Sequence, residues 1–279
     1  MRDGVPIGVL YQDDSVLVVQ TRAGAFDKFD DTDLYGEFNL GLHVNDNPKS
    51  VLQRRAMLLD AISAYASIED IQWLNQIHGD TVLDIDTDMP SLQAVPADAL
   101  ITKSSNHALA IMTADCVPVA IFGQDVGDGI GCIHAGWQGL VNGIIAKSYA
   151  KLGAISTPKA IIGACISQGS YQITDPLAKR ICDEVTTQSL VDMTASDLYD
   201  TIIIPSDDAG KVNIDIVKLA RLELEHLGIE VVNQSVPCSY LEPTLYSYRA
   251  QTHAGKSATG RMALLIAKKQ AKTWLGLYK

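Results

Sequence analysis

The sequence predicts a mixed α/β protein with mixed β-sheets and helices on the outside, and three observations carry that expectation. Short apolar, β-rich runs are interleaved with segments of helical periodicity, but without the strict alternation of a βαβ array. Of the 279 residues, 47% are hydrophobic and 20% charged, enough to bury a sizeable core. No Pro-, Gly- or Ser-rich tract is long enough to be a linker and no internal repeat is found, so one domain over residues 1–279 is the simpler reading.

The elements follow in order. Ile7, Val9 and Tyr11, then Val16 and Val18, alternate around Asp13-Asp14 and read as a β-hairpin. Residues 24–50 are rich in Asp, Gly and Asn and read as a loop. From Lys49 to Tyr65 apolar residues recur at helical spacing, with Asn47 and Pro48 as the start signal. β-rich runs follow at 82–86, 98–102, 109–122 and 130–134. A helix is expected over 140–152, stopped by Gly153, and a strand over 160–163. Next come a helix over 175–187 with Asp175 as N-cap, a strand over 201–204 and a helix over 213–228. Strands over 229–232 and 263–267 complete the order, the last leading into a basic tail. No GxGxxG follows a strand, which argues against a dinucleotide-binding domain.

Composition excludes several classes of function. A formal charge of −11 is the opposite of what a phosphate-backbone binder needs, so no nucleic-acid partner is expected. No run approaches the ~18 apolar residues of a membrane span, and the N-terminal residues lack a signal-peptide core, so a cytoplasmic protein is expected. Five cysteines, with no CxxC pair, are expected as free thiols. Nothing in the sequence sets an oligomeric state.

Six histidines are present, which makes their surroundings informative. His226 and His253 lie among polar neighbours and read as surface residues. His78 in NQIHGD, Cys116 in TADCVPVAIF and His134 in GCIHAGWQGL each sit at the end of an apolar run, where functional groups are commonly displayed. Their separations of 38 and 18 residues exclude a zinc knuckle, whose ligands come in short-spaced pairs. Spacing alone leaves both readings open for them: turn histidines with a small core cysteine, or one site assembled from three elements.

The strings NQIHGD, ADALITK, TADCVPV, HAGWQGL, YSYR and TGRMALLI, preceded by FNLGLHVNDNP and the Arg54-Arg55 pair, resemble the YfiH/laccase-domain family over about residues 38–266. That family is also described as multicopper polyphenol oxidase-like or purine nucleoside phosphorylase-like. The resemblance implies two packed β-sheets flanked by helices. It also implies one metal, usually zinc, on His78, Cys116 and His134. The activity it implies is phosphorolysis of adenosine, inosine or methylthioadenosine, with purine nucleoside and phosphate as small-molecule substrates, and deamination of adenosine. By matched position, Arg55 and Arg249 become candidates for phosphate or ribose, and Asn39, His43 and Gln76 for further substrate contacts.

Chemistry weighs the alternatives that the resemblance brings. Three protein ligands leave one position of a zinc tetrahedron open, as in catalytic sites. An older claim for the family is oxidation of phenols with copper; a four-copper centre needs more histidines than these six, while two imidazoles and a thiolate also suit a single copper, which would give weak phenol oxidation. Without a metal, Cys116 becomes a nucleophile with His134 as its base, which suits a cytoplasmic amidase editing peptidoglycan precursors. A non-enzymatic metal or redox module would use the same cluster. Asp115 either orients a histidine or holds its turn. Three departures from the family pattern bear on specificity: Gln138 where HAGWRG is usual, GACISQGSYQI where a GPxIGxxxYEV-like string is usual, and a longer segment AQTHAGKSA, expected to lengthen a loop over the substrate.

Overall fold

The protein is seen in a computed structural model that describes residues 4–30, 32–88, 95–125 and 127–269; the basic tail lies outside them. Strands β1 (Ile7–Gln12) and β2 (Val16–Thr21) form the expected hairpin. Its turn is closed by the Asp13 carboxylate, which accepts from the amides of Ser15 and Val16 at 2.8 Å. Helix α1 (Pro48–Ser63) begins where its start signal lies, with the Asn47 side chain accepting from the Lys49 amide at 3.0 Å. β3 (Asp70–Gln72), β4 (Val82–Asp84), β5 (Ala99–Thr102), β6 (His107–Thr113), β7 (Val117–Phe122) and β8 (Ile130–Ala135) follow. Then come α2 (Trp137–Val141), α3 (Ile144–Leu152), β9 (Lys159–Ile162), β10 (Gln172–Thr174), α4 (Asp175–Thr187) and α5 (Ala195–Ile202). The chain continues through β11 (Ile203–Pro205), β12 (Lys211–Ile214), α6 (Ile216–His226), β13 (Glu230–Val231), α7 (Tyr248–His253) and β14 (Met262–Lys268).

Two sheets carry the architecture. One runs β1-β2-β14-β6-β3 and the other β13-β9-β7-β8-β5-β4; a small sheet β10-β12-β11 stands beside them. Period-2 alternation shows how they stack. Val16, Val18, Leu109, Ile111, Leu264 and Ile266 of the first sheet meet Leu100, Ala120, Phe122, Ile130, Cys132 and Ile161 of the second. The alternate residues of β2, β6 and β14, such as Leu17, Ala110 and Leu265, pack against Leu58 and Ile62 of α1. Those of β7 and β8, such as Val119, Ile121 and Ile133, pack against Leu140 of α2, Ile144 of α3, Ile181 of α4 and Leu219 of α6. Central strands are therefore buried on both faces, which is why they read as unbroken apolar runs.

Several expected elements divide. The run 109–122 is two strands in different sheets, because the chain turns at residues 114–116 and crosses from one sheet to the other. The helix expected over 140–152 is α2 and α3, broken at Gly143, whose φ of +72° an L side chain would resist. At α4 the N-cap is Thr174 and Asp175 is the first helical residue, its carboxylate accepting from Tyr199 at 2.6 Å. The segment expected as one helix from 213 is the end of β12 followed by α6, with Asp215 as cap. Helices α5 and α7 and strands β3 and β10 were not expected. The signal for α5 is present as a cap box, the Thr194 hydroxyl bonding the Asp197 carboxylate at 2.7 Å and accepting from its amide.

One buried group works against this packing. Glu223 of α6 is 1% exposed, and neither carboxylate oxygen has a partner among the described residues. Burial pushes its carboxyl well above the usual range of about 4.5. The unfolded chain ionises near that ordinary value, so stability is greatest below it and is lost as pH rises toward the folded pKa. Glu223→Met should therefore raise unfolding free energy by about 1–3 kcal/mol at pH 8, and by less at pH 4.5, as measured by denaturant titration at the two pH values.

Candidate functional site

Three elements converge at the open end of the two-sheet core. Cys116 ends the turn between β6 and β7. The preceding Asp115 has a φ of +103°, rare for a residue with a side chain. Three bonds hold it there. Its carbonyl accepts from the Ile166 amide at 3.0 Å, Oδ1 accepts from the Ser239 hydroxyl at 2.6 Å, and Oδ2 accepts from the Arg249 amide at 2.7 Å. Asp115 is thus a turn-holding residue, and both its oxygens are engaged away from the histidines.

The carboxylate that does face a histidine belongs to Asp98. Its Oδ1 lies 2.8 Å from Nδ1 of His134, which is on β8 and only 3% exposed. The same carboxylate accepts from the amides of Ile77, His78 and Gly79 at 3.3, 2.9 and 2.7 Å. His78 adopts the left-handed conformation, φ +59°. Its ring stands edge-on to that of His134 with centroids 4.8 Å apart. Ligand atoms of His78, Cys116 and His134 all lie within 4.8 Å of one another, and no other cluster of this kind occurs among the described residues. Gly136 keeps the space clear, since a Cβ there would lie 3.2 Å from the Cys116 sulfur.

Electrostatics ties the three groups together. Burial pushes the Cys116 thiol up, but the charge and hydrogen bonds of His134 and His78 outweigh it and bring the thiol down to about 6. Burial likewise lowers His134, while the Cys116 thiolate and the Asp98 carboxylate outweigh it and raise the imidazole to about 9. A thiolate flanked by two imidazoles suits zinc or copper in ligand type and charge, so these residues fit the metal implied by the sequence resemblance.

The cluster forms the floor of a pocket of about 600 Å³. Its walls include Met112, Ile166, Tyr171, Ile216 and Tyr248, together with Arg249, Arg261, His43, Gln76 and Gln138. Arg249 donates from Nη1 to the Gln172 carbonyl at 2.9 Å. Arg261 donates from Nη1 to the carbonyls of Thr259 and Gly260 at 3.1 and 3.0 Å. His43 is pushed down to about 4 by burial and by the guanidiniums of Arg261 and Arg55, so it is neutral at physiological pH. Gln76 lines the wall, although its amide already bonds both backbone groups of Met112 at 2.7 and 2.8 Å.

Two expected substrate contacts lie outside the pocket lining. Arg55 is not among the lining residues: it donates from Nε and Nη2 to the Leu40 carbonyl at 3.0 and 2.8 Å and stacks 4.0 Å over Trp73. Two of its donors, Nε and Nη2, are thus engaged inside the protein. Asn39 is fully buried, with Oδ1 accepting from the Gly41 and Arg261 amides and Nδ2 donating to Asp46, so it positions Arg261. The reading from sequence missed Asp98, Tyr171 and Arg261. Two of them lie in the quoted strings ADALITK and TGRMALLI, where nothing about the residue type alone marks its role. The segment AQTHAGKSA is largely α7 and the turn after it. His253 bonds the Tyr240 hydroxyl at 3.0 Å and does not line the pocket, and His226 pairs with Asp192 at 3.0 Å on the surface.

Residues 16–269 match the family model described as multi-copper polyphenol oxidoreductase laccase, and the chain belongs to this YfiH/laccase-domain family. Among similar proteins, a purine nucleoside phosphorylase of Corynebacterium glutamicum is 32% identical over 86% of this chain and 91% of its own length. The purine nucleoside phosphorylase YfiH of Escherichia coli is 30% identical over 83% of this chain and 86% of its own. A crystal structure of a Neisseria meningitidis protein superposes with a TM-score of 0.73 at 26% identity, covering 95% of this chain and 99% of that one. That of Bacillus licheniformis YfiH gives 0.76 at 24% identity, covering 96% and 98%, and shares the fold.

Removing the sulfur isolates its contribution. Cys116→Ala should lose cobalt(II) uptake, followed by its visible absorption, while circular dichroism stays unchanged, because one small side chain at the end of the core contributes little to folding.

Proposed function

We propose that the protein is a cytoplasmic, zinc-dependent purine nucleoside enzyme that cleaves adenosine, inosine or methylthioadenosine with phosphate and also deaminates adenosine. The observation that carries this reading is the placement of the His78–Cys116–His134 cluster beneath a pocket with two guanidiniums and a mostly apolar wall. The relatives named purine nucleoside phosphorylase, aligned over most of their lengths, supply the substrate class. A zinc ion on these three donors would supply Lewis acidity at the pocket floor. The chain's own residues do the rest. Met112, Ile166, Tyr171 and Ile216 offer apolar surface to the faces of a planar purine base. Arg249 and Arg261, each tied through Nη1 alone among the described residues, present their remaining donors to phosphate or ribose oxygens. No helix among the described residues is long and apolar enough to cross a membrane.

One observation favours a second reading. The low-lying Cys116 thiol beside a raised His134 is the pair needed by a thiol nucleophile with an imidazole partner, as in an amidase acting on a peptidoglycan precursor. Metal content separates the two. Protein purified without chelator should hold about one zinc per chain; copper in its place would favour phenol oxidation. Zinc-loaded protein should release base from nucleosides only when phosphate is present and should lose that activity with chelation. Turnover of peptidoglycan nucleotides by metal-free protein, with no nucleoside turnover in either form, would overturn the proposal.

Arg249 gives a residue-level test. Arg249→Lys keeps the charge but loses the planar fork, so the Michaelis constant for phosphate or nucleoside should rise by roughly tenfold or more. Unchanged kinetics with both substrates would remove Arg249 from the site.

A further inference from the structure

We propose that Asp98 is the positioning residue of the cluster. It accepts a hydrogen bond from Nδ1–H of His134, so that Nε2 is the nitrogen turned toward Cys116 and the pocket and the one left to a metal, and it holds His78 on the same centre through the backbone. The inference deepens the metal-site reading above and rests on it for its consequence in catalysis.

Asp98 is fully buried, and its two oxygens receive four groups: the amides of Ile77, His78 and Gly79 and the Nδ1 of His134. An ionised carboxylate only accepts, and three of its partners are obligatory donors. The ring nitrogen that shares Oδ1 with the His78 amide must therefore also donate. Protonation at Nδ1 leaves Nε2 as the free acceptor of a neutral imidazole, whereas the other tautomer would place a hydrogen where a ligand bond must form. His78 is held differently. Its ring has no carboxylate or carbonyl partner among the described residues, and its left-handed backbone is fixed by the amide bonds of residues 77–79 to Asp98. One carboxylate thus sets the first histidine through its ring and the second through its main chain. It does not line the pocket, so it acts through these two residues.

Asp98→Asn tests this, because the amide must turn an N–H₂ toward at least one of the donors the carboxylate now accepts from. The variant, shown to be folded by circular dichroism and thermal melting, should bind zinc about 10–100-fold more weakly. In protein with ring-¹⁵N-labelled histidine, wild type should show a slowly exchanging downfield Nδ1 proton with or without zinc, assigned to His134 by its loss in His134→Gln. Asp98→Asn should lack that proton. A wild type without it, or a variant that binds zinc as tightly as wild type, would overturn the proposal. Should the variant fail to fold, the wild-type proton measurement decides alone. A wild type that shows the proton but binds no zinc would overturn the metal reading and leave the role of Asp98 standing.

Discussion

A carboxylate with no exposed surface must be matched by donors on every side, because an unpaired buried charge is among the most destabilising features a protein can hold. Asp98 meets that condition at the junction of three segments. Burial pushes its carboxyl up, and the His134 ring with the Gly79 and His78 amides outweighs it, holding the group below the usual carboxylate range. Its backbone takes part as well. The Asp98 carbonyl accepts from the His134 amide at 2.7 Å, and its own amide donates to the Thr81 carbonyl at 2.9 Å. The β5–β8 ladder, in which Ala99 faces Ile133, therefore ends in a residue pair that is bonded through main chain and side chain together. A one-residue slip of that register would turn His134 into the helix-covered face, where Ile133 and Ala135 now sit, and leave the carboxylate unmatched.

The second constraint is the turn at residues 114–116. β6 and β7 lie in different sheets, so the chain between them must leave one layer and start the other within three residues. The positive φ of Asp115 makes that reversal, and its carboxylate anchors it to Ser239 and to the start of α7. Arg249 is thereby fixed to the same turn that displays Cys116. The main chain of a candidate anion contact is held to the turn that carries the thiolate by one short carboxylate, and its guanidinium is held in turn by the Gln172 carbonyl, the rigidity that oriented binding requires.

Much of this was legible in the sequence, and the limits have physical causes. The hairpin at Asp13, the helix capped by Asn47 and the final strand all have local signals, and the structure has them where those signals lie. The merged run over 109–122 and the undivided helix over 140–152 failed for a shared reason. Residues on both sides of each break are buried, so apolar pattern continues through a change of direction that only Asp115 and Gly143 mark. At the site, His78, Cys116 and His134 stood out because they are scarce residue types in recurrent strings. Asp98 and Arg261 did not, since one acidic or basic residue among 55 charged ones carries no label until its burial and partners are known. Arg55 shows the limit of matching by position: its Nε and Nη2 bond Leu40 and its guanidinium stacks on Trp73, away from the residues that line the pocket.

Charge reveals how local structure overrides composition. With a formal charge of −11 the protein as a whole repels phosphate, and steering from a distance works against an anionic substrate. Inside the pocket the negative excess is gone. Asp115 is the only lining carboxylate among the described residues, and both of its oxygens already accept hydrogen bonds. Against it and the Cys116 thiolate stand two guanidiniums and the His134 imidazole, which is raised to about 9. A divalent ion held by the three donors would take up the charge of the thiolate and add positive charge to the floor. The same three side chains that would hold a metal therefore also bear on the field an anion would meet above them, within the short range over which a desolvated pocket escapes screening.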